Sequence, residues 1–280
     1  METWAWIISW IFTIFTVIGN GFVILLVCWN RHLRTKTNAF VVSLAVTDFF
    51  LGLTTVPSHF FCELASWCEP IDHFLPIMFT RVFFQYSSGT NLCGLVIERY
   101  LAVVRPLKYL SIMRRSRVIQ IILLSWAIPA LFIALVSLLR YRLETTLALH
   151  VTGWLYMIFE VVLCVFLLFY LTSMLCVVFK QGHAIRRLAK QLRFNHRLVA
   201  KTQGKSAVKM MAIAIGVFLI CYGIYLKSSL VMVISKDSSC GDFNYKLPIL
   251  ILNSAVNPLA YALFKRDIKK EFKKIIPLTL

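Results

Sequence analysis

The stretch Arg81-Val82-Phe83-Phe84-Gln85-Tyr86-Ser87-Ser88-Gly89-Thr90-Asn91-Leu92-Cys93-Gly94-Leu95-Val96-Ile97-Glu98-Arg99-Tyr100-Leu101-Ala102-Val103-Val104-Arg105-Pro106-Leu107-Lys108-Tyr109 decides how the rest of the chain is read. A mostly apolar run closes on an acid, an arginine and a tyrosine, although a charge at the centre of a membrane helix costs about 2.5–3.5 kcal/mol on insertion scales. An arginine at a helix end can snorkel into headgroups, so the triplet alone says little. The whole run, with Pro106 seven residues after Arg99 and Tyr109 three further on, is far more specific. Arg81, Gln85, Ser88, Leu92, Leu95 and Arg99 recur at spacings of three and four and so share one helix face. Arg81 and Arg99 lie about 27 Å apart along that helix, one toward an outer cavity and one toward the cytoplasm.

The other residues place this helix in a bilayer. The 280 residues are 59% hydrophobic and only 15% charged, with mean hydropathy +0.77, far from the balance of a soluble domain. Runs of about 20 mostly apolar residues suffice to span, and seven are expected: Trp4 to Cys28, Asn38 to Cys62, Phe74 to Val104, Val118 to Leu139, Val151 to Phe179, Ala207 to Ile234 and Tyr245 to Phe264. No long linker or repeat separates them, so residues 1–280 read as one domain, an all-α seven-helix membrane bundle. After it, Phe264, Ile268 and Phe272 with lysines and an arginine between predict a short amphipathic surface helix over 265–276.

Basic residues cluster after the first, third, fifth and seventh runs: Arg31, Arg34 and Lys36; Arg105, Lys108, Arg114, Arg115 and Arg117; Arg186 to Lys205; Lys265 to Lys274. The alternate loops hold only Arg140, Arg142, Lys236 and Lys246, which places the N-terminus outside and the C-terminus in the cytoplasm. The net charge of +18 is then a cytoplasmic-face feature drawn to anionic membrane lipid, and no nucleic-acid partner is needed to explain it. The first run lacks a basic leader and a cleavage site and is expected to stay as an anchor.

Taken with Leu44-Ala45-Val46-Thr47-Asp48 in the second run and Asn257-Pro258-Leu259-Ala260-Tyr261 in the seventh, Glu98-Arg99-Tyr100 resembles the motif set of rhodopsin-like (class A) G-protein-coupled receptors. Glu98 stands for the commoner Asp of their Asp-Arg-Tyr. The overall pattern is similar to amine receptors, but Arg81 stands where those place the Asp that holds an ammonium. The resemblance implies a cell-surface receptor in the plasma membrane, not an enzyme, that binds a small extracellular ligand and activates a heterotrimeric G protein. A receptor dimer is a further arrangement it allows. It assigns the activation switch to Glu98, Arg99, Tyr100, Pro106, Tyr170, Asn257, Pro258 and Tyr261, and the ligand pocket to Arg81, Gln85, Phe159, Tyr222, Tyr225 and Lys227.

The resemblance also implies an allosteric Na+ site at Asp48, Ser88, Asn253, Ser254 and Asn257. Hard cations take oxygen ligands; a protonated or serine-bonded Asp48 is the plainer reading. Asn20, after Gly19, is expected to bond toward the second and seventh helices or to act as simple interhelical glue. Arg81 suits a carboxylate or phosphate through paired hydrogen bonds, with Lys227 and Lys246 enlarging a positive pocket, or else it is neutralised by Glu63 or Glu160. Trp126 and Pro129 carry the fourth run, and Pro57 is expected to kink the outer end of the second.

The departures from the family pattern are specific. Phe74 replaces the cysteine that usually staples the third helix to the second outer loop, leaving Cys62 with Cys68, or either with Cys240, as candidates. Cys28, Cys93, Cys164, Cys176 and Cys221 are expected to be small apolar packers. Val162 replaces a proline in the fifth run, while in the sixth Phe218 and Cys221 match and Tyr222 and Ile224 replace Trp and Pro, Gly223 leaving local freedom. Gly204, near an expected turn, replaces an acid that pairs with the motif's arginine and restrains the inactive state, so basal activity is expected. The tail offers Thr279 as its phosphoacceptor, which disfavours arrestin engagement.

Rival readings fit less well. An opsin needs a Schiff-base lysine midway along the seventh helix, and Lys246 lies too near its outer end. Ser87-Ser88-Gly89 lacks the first glycine of an intramembrane serine protease loop, and no halves repeat as in a transporter. A constitutively active or ligand-less receptor-fold protein that partners another receptor is the remaining alternative. No Asn-x-Ser/Thr sequon occurs, and only three residues precede Trp4, which argues against a large protein hormone.

Overall fold

The computed structural model describes residues 1–65, 71–191, 203–235 and 243–275. These form α1 (Thr3–Trp29), α2 (Lys36–Ala65), α3 (Ile71–Val104), α4 (Pro106–Ile112), α5 (Arg115–Arg142), α6 (Thr145–Gln191), α7 (Gln203–Ser235), α8 (Phe243–Phe264) and α9 (Arg266–Ile275), with a 3-10 turn at Arg31–Leu33. Every expected span is one long helix, and the expected surface helix is α9. No strand occurs among the described residues. Trp67, Cys68, Glu69, Arg193, Arg197, Lys201, Lys236, Cys240 and Thr279, on which several expectations rest, lie outside them.

Six of these helices are long and apolar enough to cross a membrane; α3 is not among them. This corrects the expectation that hydropathy marks all seven. The reason is position: α3 packs against α2, α5, α6 and α7, so Gln85, Ser87, Ser88, Thr90 and Asn91 are buried against protein rather than lipid. Polar residues that face protein rather than lipid escape the transfer cost that forces the neighbouring helices to be apolar. α5 is the opposite case. Only 17% of its most apolar window is buried, against 56% for α2 and α8. Its exposed Leu124, Ile128, Leu131, Leu135 and Leu138 recur at helical spacing, as a lipid-facing stripe must.

The main core joins α2, α3, α6, α7 and α8 through Phe40, Leu44, Leu95, Leu167, Met174, Met211, Ile215, Phe218 and Tyr261. α1 closes the ring against α8. A Cβ added at Gly19 would stand 3.0 Å from the Pro258 side chain, so only a hydrogen there lets the two backbones approach this closely. α2, α5 and α8 run on through Pro57, Pro129 and Pro258. Gly204, expected near a turn, lies in the first turn of α7, where helical N–H groups lack intrahelical partners and glycine is tolerated.

Cys62 is disulfide-bonded, in line with its place among the expected candidates. The five cysteines in the spans are free, but Cys28 and Cys176 are exposed on the bundle surface and do not pack inside it; only Cys221 is buried, with Cys93 and Cys164 partly so.

Candidate functional site

Polar side chains are buried at three levels of the bundle. In the middle, Asp48 is fully buried on α2. Its Oδ1 accepts hydrogen bonds from Ser88 Oγ on α3 at 2.6 Å and from Ser254 Oγ on α8 at 2.7 Å, and its Oδ2 accepts one from Asn257 Nδ2 at 2.7 Å. Four of the five residues assigned to this centre therefore meet. Asn253 is buried beside them but does not bond to Asp48. Asn20 donates to Thr16 O at 2.9 Å and to Ser254 O at 3.3 Å, reaching α8 but not α2, and its Oδ1 is buried without a partner. Above α2's inner half, Trp126 Nε1 donates to Ser43 Oγ at 3.0 Å and Ser43 donates to Asn91 Oδ1 at 2.6 Å, tying α5, α2 and α3 together.

At the inner end Glu98 is fully buried. Its Oε1 accepts from Thr37 Oγ1 at the start of α2 and from the Tyr109 hydroxyl on α4, both at 2.6 Å, while its Oε2 lies 3.4 Å from Arg99 Nε. Pro106 opens α4 at its first position, where its missing N–H costs nothing, and so aims Tyr109 back at Glu98. Burial, then the Glu98 hydrogen bond, pushes the Tyr109 phenol up to about 12, so it stays a donor at any physiological pH. Tyr100 meets Tyr170 of α6 edge-on at 4.9 Å between ring centres. Tyr261 is buried with its hydroxyl unpartnered, within electrostatic reach of both Asp48 and Arg99.

One latch at this end was not foreseen. Lys265 Nζ donates to Asn38 Oδ1, and Asn38 Nδ2 donates to Asp267 Oδ2 at 3.0 Å and to Leu33 O at 2.6 Å. The surface helix α9 is thereby bonded to the start of α2. Burial holds the Lys265 amine down at about 7. Burial opposes ionisation of Asp267 too, but the Lys265 charge and the Asn38 hydrogen bond outweigh it and keep the carboxyl below its usual range. Asn38, Lys265 and Asp267 stand at the ends of helices in sequence, and only their 227- and 229-residue separations closing in space mark them.

In the outer half, Arg81 and Gln85 are buried on α3. Tyr222 stacks on Phe218 at 4.0 Å and its hydroxyl donates to Gln85 O at 3.4 Å. Phe159 packs against Tyr86 at 4.7 Å and Phe132 at 4.6 Å. Cys221, Tyr222, Tyr225 and Leu250 line a narrow cleft here. Arg81 is within electrostatic reach of His59 and Tyr225. The acids expected to neutralise it are engaged elsewhere: Glu63 pairs with the N-terminal amine at 2.8 Å, and Glu160 accepts from the Tyr86 hydroxyl at 3.2 Å. Lys227 does not join this group. It is exposed, in helical register with the exposed Ile220, Ile224 and Leu230, so it sits on the lipid-facing stripe of α7, where a lysine snorkels to the interface.

Comparison with known proteins agrees with this arrangement. Residues 19–261 match the description of the 7 transmembrane receptor (rhodopsin family). The chain is 27% identical to the alpha-1A adrenergic receptor of Oryzias latipes over an alignment covering 95% of this chain and 65% of that one. It is 29% identical to the histamine H2 receptor of Homo sapiens, covering 93% and 76%. A shorter segment, 45% of this chain and 14% of the relative, is 39% identical to a dopamine D2-like receptor of Drosophila melanogaster. The chain thus spans less than two thirds of the dopamine and adrenergic relatives. With the family match running through all three polar levels, the chain belongs to the rhodopsin family of seven-transmembrane receptors.

Proposed function

We propose that the chain is a plasma-membrane receptor, its N-terminus outside, that binds a small extracellular ligand and activates a heterotrimeric G protein. The observation that carries this reading is the Glu98 network: an acid–arginine pair at the inner mouth, held by hydroxyls from two other elements. Hydrogen bonds of this kind form one discrete arrangement that a ligand can disfavour, which is what a two-state shift requires. In the active state Arg99 leaves Glu98, α7 moves outward, and Tyr170 and Tyr261 pack inward. Beside the network Leu107 is 96% exposed and Leu110 73% exposed on α4. Large apolar side chains on a cytoplasmic helix suit a protein partner. Arg81, buried beside Gln85 in the outer half, suits an anionic group on the ligand.

Sodium at Asp48 is part of the same proposal. Asp48, the hydroxyls of Ser88 and Ser254, and the side-chain oxygens of Asn253 and Asn257 supply oxygen donors, the chemistry a hard cation takes. Bound there, the ion would add positive charge between α2, α3 and α8 and favour the resting arrangement.

Ligand-free nucleotide exchange on a panel of G-protein subtypes tests coupling. Basal exchange that vanishes in Arg99→Ala is expected; equal exchange in both, at matched surface expression, sinks the coupling. Sodium is expected to lower agonist affinity in the wild type and not in Asp48→Asn. Unchanged sodium sensitivity in that variant removes the ion site.

A further inference from the structure

The outer half holds one acid that the reading above leaves without a task. Glu160, on α6, is 1% exposed and turned into the bundle. Its Oε1 accepts a single hydrogen bond, from the Tyr86 hydroxyl at 3.2 Å, and its Oε2 is buried with no hydrogen-bond partner. It forms no ion pair among the described residues; Lys246 of α8 acts on it only at longer range. Aromatic rings pack around its partner Tyr86. Tyr86 is stacked near Tyr156 at 6.0 Å and meets Phe159 and Phe132, while Tyr222 and Tyr225 are within electrostatic reach of the carboxylate from α7. The Tyr156 hydroxyl is also buried and unpartnered.

A buried carboxylate oxygen without a donor, beside tyrosine hydroxyls, has the chemistry of a cation site. An ammonium offers three N–H donors, one for Glu160 Oε2 and others for phenol oxygens. An anion would meet the carboxylate with the wrong sign, and an apolar group would leave Oε2 unsatisfied. We propose that Glu160, with Tyr86, Tyr156, Tyr222 and Tyr225, forms a subsite for the ammonium group of the ligand. This rests on the receptor reading and adds a ligand class to it. The acid sits on α6, whereas Arg81 occupies the α3 position of the pocket.

The test uses three compounds that share a phenyl ring on a short chain, 2-phenylethylamine, phenylalanine and 3-phenylpropionate, added to the detergent-purified full chain at millimolar concentration. Thermal stabilisation is read, so the result does not depend on G-protein coupling. The two amine-bearing compounds are expected to raise the melting temperature. In Glu160→Gln, which keeps an acceptor for the Tyr86 hydroxyl, their apparent affinity is expected to fall at least about tenfold, and Glu160→Asp is expected to recover part of it. Stabilisation by 3-phenylpropionate alone overturns the inference. So does amine stabilisation that survives intact in a folded Glu160→Gln, or a folded wild type that responds to neither amine. Loss of G-protein exchange with the amine response intact would sink the coupling proposal and leave this one standing.

Discussion

Replacing Tyr109 with Phe removes one of the two hydroxyls that donate to Glu98 Oε1 and keeps the ring. A hydrogen bond to a charged acceptor contributes about 1.5–3 kcal/mol. Thr37 still donates to the same oxygen and Arg99 still faces Oε2, so the lower end, about 1.5 kcal/mol, applies here. If the bond exists only in the resting arrangement, the ratio of active to resting receptor rises about tenfold. The same loss lowers the melting temperature by about 3–6 °C at the rate typical of chains of roughly this size. Ligand-free nucleotide exchange in membranes at matched expression reads the first effect, and a melt of the purified receptor the second. In Tyr109→Phe combined with Thr37→Val, Oε1 is buried with no hydroxyl donor, and the combined loss should exceed the sum of the single losses. Wild-type melting together with unchanged or lower basal exchange in Tyr109→Phe would refute the reasoning.

Two further changes probe other parts of the bundle. Lys265 titrates at about 7 in the folded protein and at 10.5 as a free side chain. Between those values the unfolded chain holds the extra proton, so stability climbs as pH rises through this window, by at most about 1.4 kcal/mol per unit; below 7 the contribution is flat. Asp267 stays ionised throughout. Lys265→Met should flatten the rise in melting temperature between pH 7 and 9, and an unchanged slope would mean that Lys265 is not buried as described. Gly19→Ala places a methyl 3.0 Å from the Pro258 side chain and should cost about 1–3 kcal/mol through overpacking, read as a lower melting temperature; a neutral substitution would show that α1 can move away from α8.

What can be read from the chain alone follows from local rules. Six of the long helices and a surface helix are legible because a bilayer demands about 20 apolar residues per crossing and an amphipathic period at its surface, and both demands act within one segment. Asp48, Glu98, Arg99, Asn257 and Tyr261 are legible because each is a polar residue at a position where burial in lipid would be costly. The phase of one helix against another is not a local property. Lys227 and Tyr225 are two residues apart in sequence, yet one faces lipid and the other the narrow outer cleft, because neighbouring helices decide which face of α7 is covered. The polarity of α3 likewise misleads hydropathy until its central place is known. Thr37 and Tyr109 converge on Glu98, Asn38 and Lys265 on one latch, and Tyr86 on Glu160 across 61, 11, 227 and 74 residues respectively. Side-chain hydrogen bonds reach about 3 Å, so only the assembled bundle decides which distant polar groups become partners and which, like Glu160 Oε2, are buried without one.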